Sequence, residues 1–283
     1  MKIKFAAALA LVCCLFSCSS PNEKTEVKPE PSATPFDANE TPIVKKTERS
    51  ITEAQDDSET TISVTGVDVE KLTVTVSTNR PGRITIPVGT VFQSENNGTQ
   101  TMMAAHAKVL TFAGDTAQPF LTPKTQTIEV EVYCTNRFLN APTSSSEFTV
   151  TNDGDELDPV RRLAECLDRH PEAPHEARQL AIWVTSDNFI NLTDAEVRAK
   201  MRAHADDIIK DPNSQVWDSI RKEQHLTDEA VQEIINDPKQ LEVVRESAYE
   251  EVDEEISDYK SIAGPLLEKC GFNTATSKFF QTS

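Results

Sequence analysis

The chain has 283 residues, with 46 acidic and 28 basic side chains and a formal net charge of −18 at pH 7. A surface this acidic argues against binding nucleic acid, and against lying flat on anionic lipid, because both present negative charge. The length is sufficient for a sizeable core. No motif of a standard enzyme class is present, and the sequence predicts no cofactor and no metal site.

The first eighteen residues have the pattern of an exported protein. A cationic start precedes an apolar stretch, which ends in Leu15-Phe16-Ser17-Cys18. This pattern resembles the signal peptide and lipobox of bacterial lipoproteins. The resemblance implies that residues 1–17 are removed, that Cys18 carries a lipid such as palmitate, and that the protein is anchored to a membrane of the bacterial cell envelope. The alternative is an ordinary secretory signal that is cut near Ser17.

Residues 18–60 have the composition of a disordered tether. From residue 19 to residue 60 there are five prolines, no glycine and a single aromatic side chain, Phe36. Such a segment cannot bury enough apolar surface to offset the entropy lost on ordering. We expect it to hold the folded part away from the membrane.

Residues 61–152 contain short runs in which apolar and polar side chains alternate. Alternation with period two is typical of strands with one buried face, and turn residues such as Asn79-Arg-Pro-Gly separate the runs. Regularly spaced short strands favour an antiparallel β-sandwich of immunoglobulin-like type. The strand patterns are Thr61–Thr65, Lys71–Ser77, Arg83–Phe92, Lys108–Phe112, Thr127–Tyr133 and Glu147–Val150.

Residues 153–283 change to helical spacing, which predicts an α-helical bundle after the sandwich and an α+β fold overall. Thr193 followed by Glu196 forms a capping-box pattern, which is typical of a helix start. The last long helix is expected to lie between Pro238 and Gly271, with apolar side chains spaced three and four residues apart.

Three cysteines remain once the signal peptide is removed and Cys18 is lipidated, namely Cys134, Cys166 and Cys270. Outside the cytoplasm thiols tend to pair, so three cysteines suggest one disulfide and one cysteine with another role. Cys166 and Cys270 both lie in helical patterns and should pair if Cys134 is committed elsewhere. A disulfide from Cys134 to either of them is the alternative.

Two short motifs lie between residues 127 and 189. Tyr133-Cys134 ends a predicted strand, and Gln179-Leu-Ala-Ile-Trp183 lies in a predicted helix. Together they resemble the motifs of the thioester domains of bacterial surface adhesins. The resemblance implies a thioester in which the Cys134 sulfur has displaced ammonia from Gln179, shielded by Tyr133 and Trp183. An amine on a target surface or protein ligand would then attack the bond.

Three functions follow from these patterns. The first is a lipid-anchored binding or adhesion module of the cell envelope, without catalysis. The second is a covalent adhesin with a Cys134–Gln179 thioester. The third is an envelope hydrolase in which Cys134 is activated by His170 or His175. The structural alternative is that Gln179 caps a helix and Trp183 packs in the core, with no role in chemistry.

Overall fold

The structure, a computed structural model, describes residues 48–115, 118–151 and 155–281. The predicted signal peptide, Cys18 and most of the predicted tether lie outside these residues. The described strands are β1 (Glu48–Ser50), β2 (Thr60–Gly66), β3 (Lys71–Thr78), β4 (Gly82–Ile86), β5 (Val91–Ser94), β6 (Met102–Ala104), β7 (Lys108–Phe112), β8 (Lys124–Cys134) and β9 (Glu147–Thr151).

Six of these strands close into a barrel in the order β2-β3-β8-β6-β5-β9. The neighbouring strands are all antiparallel, as predicted, but the prediction of an immunoglobulin-like β-sandwich is wrong because the sheet closes on itself. Closure depends on β2 pairing with β9, where Val64 lies opposite Phe148 and Thr65 opposite Glu147. Alternation along each strand is the same in a sandwich and a barrel, so local pattern could not distinguish them.

The remaining three strands form a separate sheet in the order β1-β4-β7, with β1 parallel to β4. Its first strand and the short helix α1 (Ile51–Gln55) lie in the segment that the sequence assigned to the tether. Ile51 and Ala54 of α1 are fully buried. The folded part therefore includes Glu48 and does not begin near residue 60. These two buried apolar side chains anchor the segment, and the average composition of residues 18–60 does not reveal them.

The C-terminal half is helical, as the change of period predicts. Its helices are α2 (Asp158–Asp168), α3 (His175–Ser186), α4 (Asp194–Lys210), α5 (Gln215–Gln224), α6 (Asp228–Asn236), α7 (Pro238–Asp258) and α8 (Gly264–Lys269). A π-helical turn, Tyr259–Ala263, joins α7 to α8. The helical run ends before Gly271, whose φ of 81° is a left-handed conformation that glycine adopts readily.

The capping box expected at the start of α4 is present. Thr193 accepts a hydrogen bond from the Glu196 N–H, and the Glu196 carboxylate accepts one from the Thr193 N–H at 2.7 Å. These bonds satisfy amides that a helix start otherwise leaves without a partner. They form within four consecutive residues, which is why the sequence alone could predict them.

One apolar core runs through both halves of the fold. It joins barrel residues such as Phe92 and Val132 to helical residues such as Trp183 and Val252. A second, smaller cluster around Trp217 lies among α5, α6 and neighbouring helices. The Cys166–Cys270 disulfide, with a Cα–Cα distance of 5.6 Å, fastens the end of α2 to the residue that follows α8.

Glu251 on α7 is a buried acid that the fold does not compensate. Only 6% of the residue is exposed, and neither carboxylate oxygen has a hydrogen-bond partner within the described part of the chain. Burial, aided by Glu254 and Glu255, raises the pKa of Glu251 from 4.5 to about 8. The native state therefore holds this proton more tightly than the unfolded chain does, and stability falls as pH rises from about 4.5 to about 8.

We expect Glu251→Gln to stabilise the protein at pH 8 by about 2 kcal/mol and to have little effect at pH 4, because glutamine needs no ionisation in the buried site. Urea denaturation of both proteins at the two pH values measures this. Glu250→Gln, an exposed neighbour on α7, is the matched control and should change stability by less than about 0.5 kcal/mol. Equal stabilisation at both pH values would contradict the assignment.

Candidate functional site

The fold brings Cys134 and Gln179 together. Cys134 is the last residue of β8, and Gln179 lies in the second turn of α3. The Cys134 N–H donates to Gln179 Oε1 at 2.9 Å, and Gln179 Nε2 donates to the Cys134 carbonyl at 2.8 Å. Both residues are 98% buried. The strand end and the helix thus converge, and the Gln179 side chain contacts the backbone of Cys134.

The sulfur itself has a different partner. Cys134 Sγ donates to the Val69 carbonyl at 3.4 Å. The Gln179 amide binds the backbone of β8 in the plane of the sheet, where a neighbouring strand would pair. A strand side chain such as that of Cys134 stands roughly perpendicular to the sheet. The amide therefore lies beside the Cys134 backbone, and the sulfur must turn away from Val69 to reach the amide carbon.

A cavity of about 450 Å³ opens beside Cys134. It lies between the end of the barrel and the helices α4 and α5, and Cys134 and Trp183 both line it. Its remaining wall includes polar side chains from several separate segments, namely Gln100, Arg137, Asn140, Thr143, His204, Ser214, Gln215, Asp218, Ser219 and Lys222. This size is within the usual range for a small-molecule site.

Tyr133 and Trp183 take different positions. Trp183 is buried on α3 and lines the cavity. Successive side chains on a strand point to opposite faces, so Tyr133 points away from Cys134. Its ring lies 5.5 Å from the ring of His175, and burial raises the pKa of its hydroxyl to about 12. Tyr133 therefore packs behind the strand and does not line the cavity.

Arg137, three residues after Cys134, fixes the cavity wall to the helical half. Its guanidinium lies 2.8 Å from Glu255 Oε1 and donates to Tyr259 Oη at 2.9 Å. Tyr259 donates in turn to Glu255 at 2.5 Å. All three residues are buried, and burial raises the pKa of Glu255 even though Arg137 opposes that shift. The chain segment that follows Cys134 is thus held to α7 and the π-helical turn by a buried ion pair.

His204 on α4 is the histidine of the cavity wall, and the sequence reasoning missed it. Burial and the nearby charge of Arg137 lower its pKa to about 4, so the imidazole is neutral at pH 7. The two histidines proposed from sequence bind elsewhere. His175 Nδ1 lies 3.1 Å from Glu131, and His170 Nδ1 lies 3.0 Å from Glu172.

The positions of His170 and His175 bear on the hydrolase interpretation. Glu131 and Tyr133, the partners of His175, lie on the face of β8 opposite to the Cys134 side chain. Both histidines therefore bind carboxylates, and a Cys–His nucleophile pair made from either of them stays a prediction.

Comparison with protein families, characterised proteins and solved structures finds no match for this chain. Among the described residues there is no cluster of three or more potential metal ligands of the His, Cys, Asp or Glu type. In the same residues, no helix is both long and apolar enough to cross a bilayer. The geometry around Cys134 is therefore the basis for any functional conclusion.

Proposed function

We propose that the protein is a lipid-anchored binding module of the bacterial cell envelope that captures its target covalently through a thioester between Cys134 and Gln179. The observation that carries this proposal is the pair of hydrogen bonds between the Gln179 amide and the Cys134 backbone, next to a cavity lined by Cys134. Without ammonia loss, the same cavity would support a non-covalent binding module.

The chemistry takes place in two balanced steps. The Cys134 sulfur attacks the Gln179 amide carbon, a carbon–sulfur bond forms, and the amide nitrogen leaves as ammonia with the thiol proton. A primary amine of the target later attacks the same carbon. The new amide bond joins Gln179 to the target, and the Cys134 thiol is regenerated.

The environment of the pair favours both steps. Two hydrogen bonds hold the Gln179 amide beside the Cys134 backbone, so the sulfur would reach the amide carbon by rotation of the Cys134 side chain rather than by the encounter of two free groups. Nearly complete burial of Gln179 limits the access of water to the acyl group, and an amine would approach the bond from the cavity that Cys134 lines. The predicted lipid on Cys18 and the tether would place this site away from the membrane surface.

Intact mass tests the proposal. The mature full chain, produced from residue 18 with Cys18→Ser to omit the lipid, should be lighter than its disulfide-bonded sequence mass by one ammonia. Methylamine should then add one methylamine to that mass and expose one thiol. Cys134→Ala and Gln179→Ala should each abolish the ammonia loss and the methylamine addition.

Gln232→Ala, an exposed glutamine on α6, is the matched control and should keep the full response. Circular dichroism and thermal unfolding should show that Cys134→Ala and Gln179→Ala remain folded. A wild-type protein that retains the full sequence mass and ignores methylamine would overturn covalent capture.

A further inference from the structure

The cavity beside Cys134 has unsatisfied hydrogen-bonding groups in its wall. Gln100 Oε1, Ser214 Oγ and Trp183 Nε1 are buried and have no partner within the described residues. Gln100 is 6% exposed and Trp183 is 4% exposed, so bulk water does not hydrogen-bond to either of these side chains. Buried polar atoms without partners are costly, and several of them around one cavity indicate that a bound group supplies the missing bonds.

The start of α5 adds further donors to the same wall. Ser214 occupies the N-cap position with an extended backbone, yet its side chain makes no capping hydrogen bond. By contrast, Thr193 and Thr227 at the starts of α4 and α6 both cap their helices. The first amides of α5 therefore lack a side-chain acceptor, and Ser214 Oγ remains available to a ligand.

These groups define the chemistry of an occupant. The Trp183 indole is a donor only, Gln100 Oε1 is an acceptor, and the Ser214 hydroxyl can do either. An occupant that satisfies all three must therefore present both an acceptor and a donor, as a carboxamide does. Glu255 neutralises Arg137, and Asp218 in the first turn of α5 offsets Lys222 in the same wall, so the cavity carries no net positive charge to bind an anion. A neutral carboxamide fits this wall better than a carboxylate or a phosphate.

We propose that this cavity is a carboxamide-binding subsite, in which Ser214 and Trp183 donate to the amide oxygen and Gln100 accepts from the amide N–H. Binding of the amide does not depend on the proposed function. Only the statement that this amide lies next to the amine that reacts with Gln179 rests on it. The subsite selects targets whose amine is flanked by an amide.

Two sources present this amide, a peptide bond and the N-acetyl group of an amino sugar. A second cavity of about 450 Å³ shares Asn140, Ala141, Thr143 and Gln215 with the first, so the site continues beyond Cys134. Glu95 and Glu147 line this second cavity. Their carboxylates favour a cationic chain, which a lysine-containing peptide supplies and a neutral sugar does not.

Binding is measured on the mature full chain carrying Cys134→Ala, which cannot form a thioester, by ligand-observed saturation-transfer NMR. The probes are Nα-acetyl-lysine N-methylamide, N-acetylglucosamine and n-butylamine, an amine without an amide. We expect the peptide amide to bind, n-butylamine not to bind, and Gln100→Leu or Ser214→Ala to weaken the amide by about tenfold. Gln232→Ala should leave binding unchanged.

Gln100 also donates to the Leu139 carbonyl at 2.9 Å, so Gln100→Leu could disturb the fold as well as the subsite. Ser214→Ala is the second variant because it removes no hydrogen bond of this kind. Binding of N-acetylglucosamine with the same dependence on Gln100 and Ser214 supports the subsite and assigns the sugar as source. The subsite is overturned if neither amide probe binds. It is also overturned if an amide binds equally well to the Gln100→Leu and Ser214→Ala variants. Amide binding without ammonia loss in the wild type supports the subsite and removes only the thioester.

Discussion

Removing the Cys166–Cys270 disulfide should lower the free energy of unfolding by about 3 kcal/mol. The two cysteines are 104 residues apart, so their bond restricts a long loop of the unfolded chain. It also holds α8 against α2, at the edge of the helical half. We expect the Cys166→Ser, Cys270→Ser double variant to unfold at a clearly lower urea concentration than the wild type.

The wild type treated with a reductant is the matched comparison, since it loses the same bond without a change of sequence. Reduced wild type and double variant should unfold at similar urea concentrations, both below the oxidised wild type. Loss of stability that appears only in the variant would point to packing of Cys166 rather than to the disulfide. Equal midpoints for all three proteins would contradict the prediction.

Arg137→Met should destabilise the protein by roughly 3–5 kcal/mol. Arg137 and Glu255 have side chains that are at least 93% buried, so the substitution leaves the Glu255 carboxylate in the interior without its positive partner. In the variant, Glu255 would keep the hydrogen bond that it accepts from Tyr259. Urea denaturation at pH 7 measures the loss.

Two further variants separate the buried charge from general damage. Arg83→Met removes a half-buried arginine whose partner carboxylate, Glu48, lies 3.6 Å away, and it should cost less than about 1 kcal/mol. Arg137→Met combined with Glu255→Leu removes both charges and should be more stable than Arg137→Met alone. A double variant no more stable than the single one would show that the stranded carboxylate is not the cause.

Sequence alone was sufficient where structure depends on neighbours along the chain. The strand patterns at β3 and β8 and the capping box at Thr193 are local, since each is defined by side chains a few residues apart. The change from period two to helical spacing near residue 153 likewise located the helical half. Cysteine counting with the signal-peptide pattern left Cys134, Cys166 and Cys270, and it predicted the Cys166–Cys270 pair only if Cys134 had another role.

Tertiary structure decided the features that join distant parts of the chain. Barrel closure needs β2 and β9 to pair across more than 80 residues, and nothing in either strand's alternation encodes that choice. The cavity wall assembles Gln100, Arg137, His204 and Ser214 from four separate segments, and only the first two precede the helical half. No sequence spacing relates these side chains.

The Cys134–Gln179 site lies between these two cases. The motifs were visible because Tyr133-Cys134 ends a strand and Gln179 and Trp183 share a helix face, four residues apart. Sequence could not show that the Gln179 amide would bind the edge of β8, or that Tyr133 would point to the opposite face. Those outcomes depend on how α3 packs against β8, a long-range contact that local patterns do not specify.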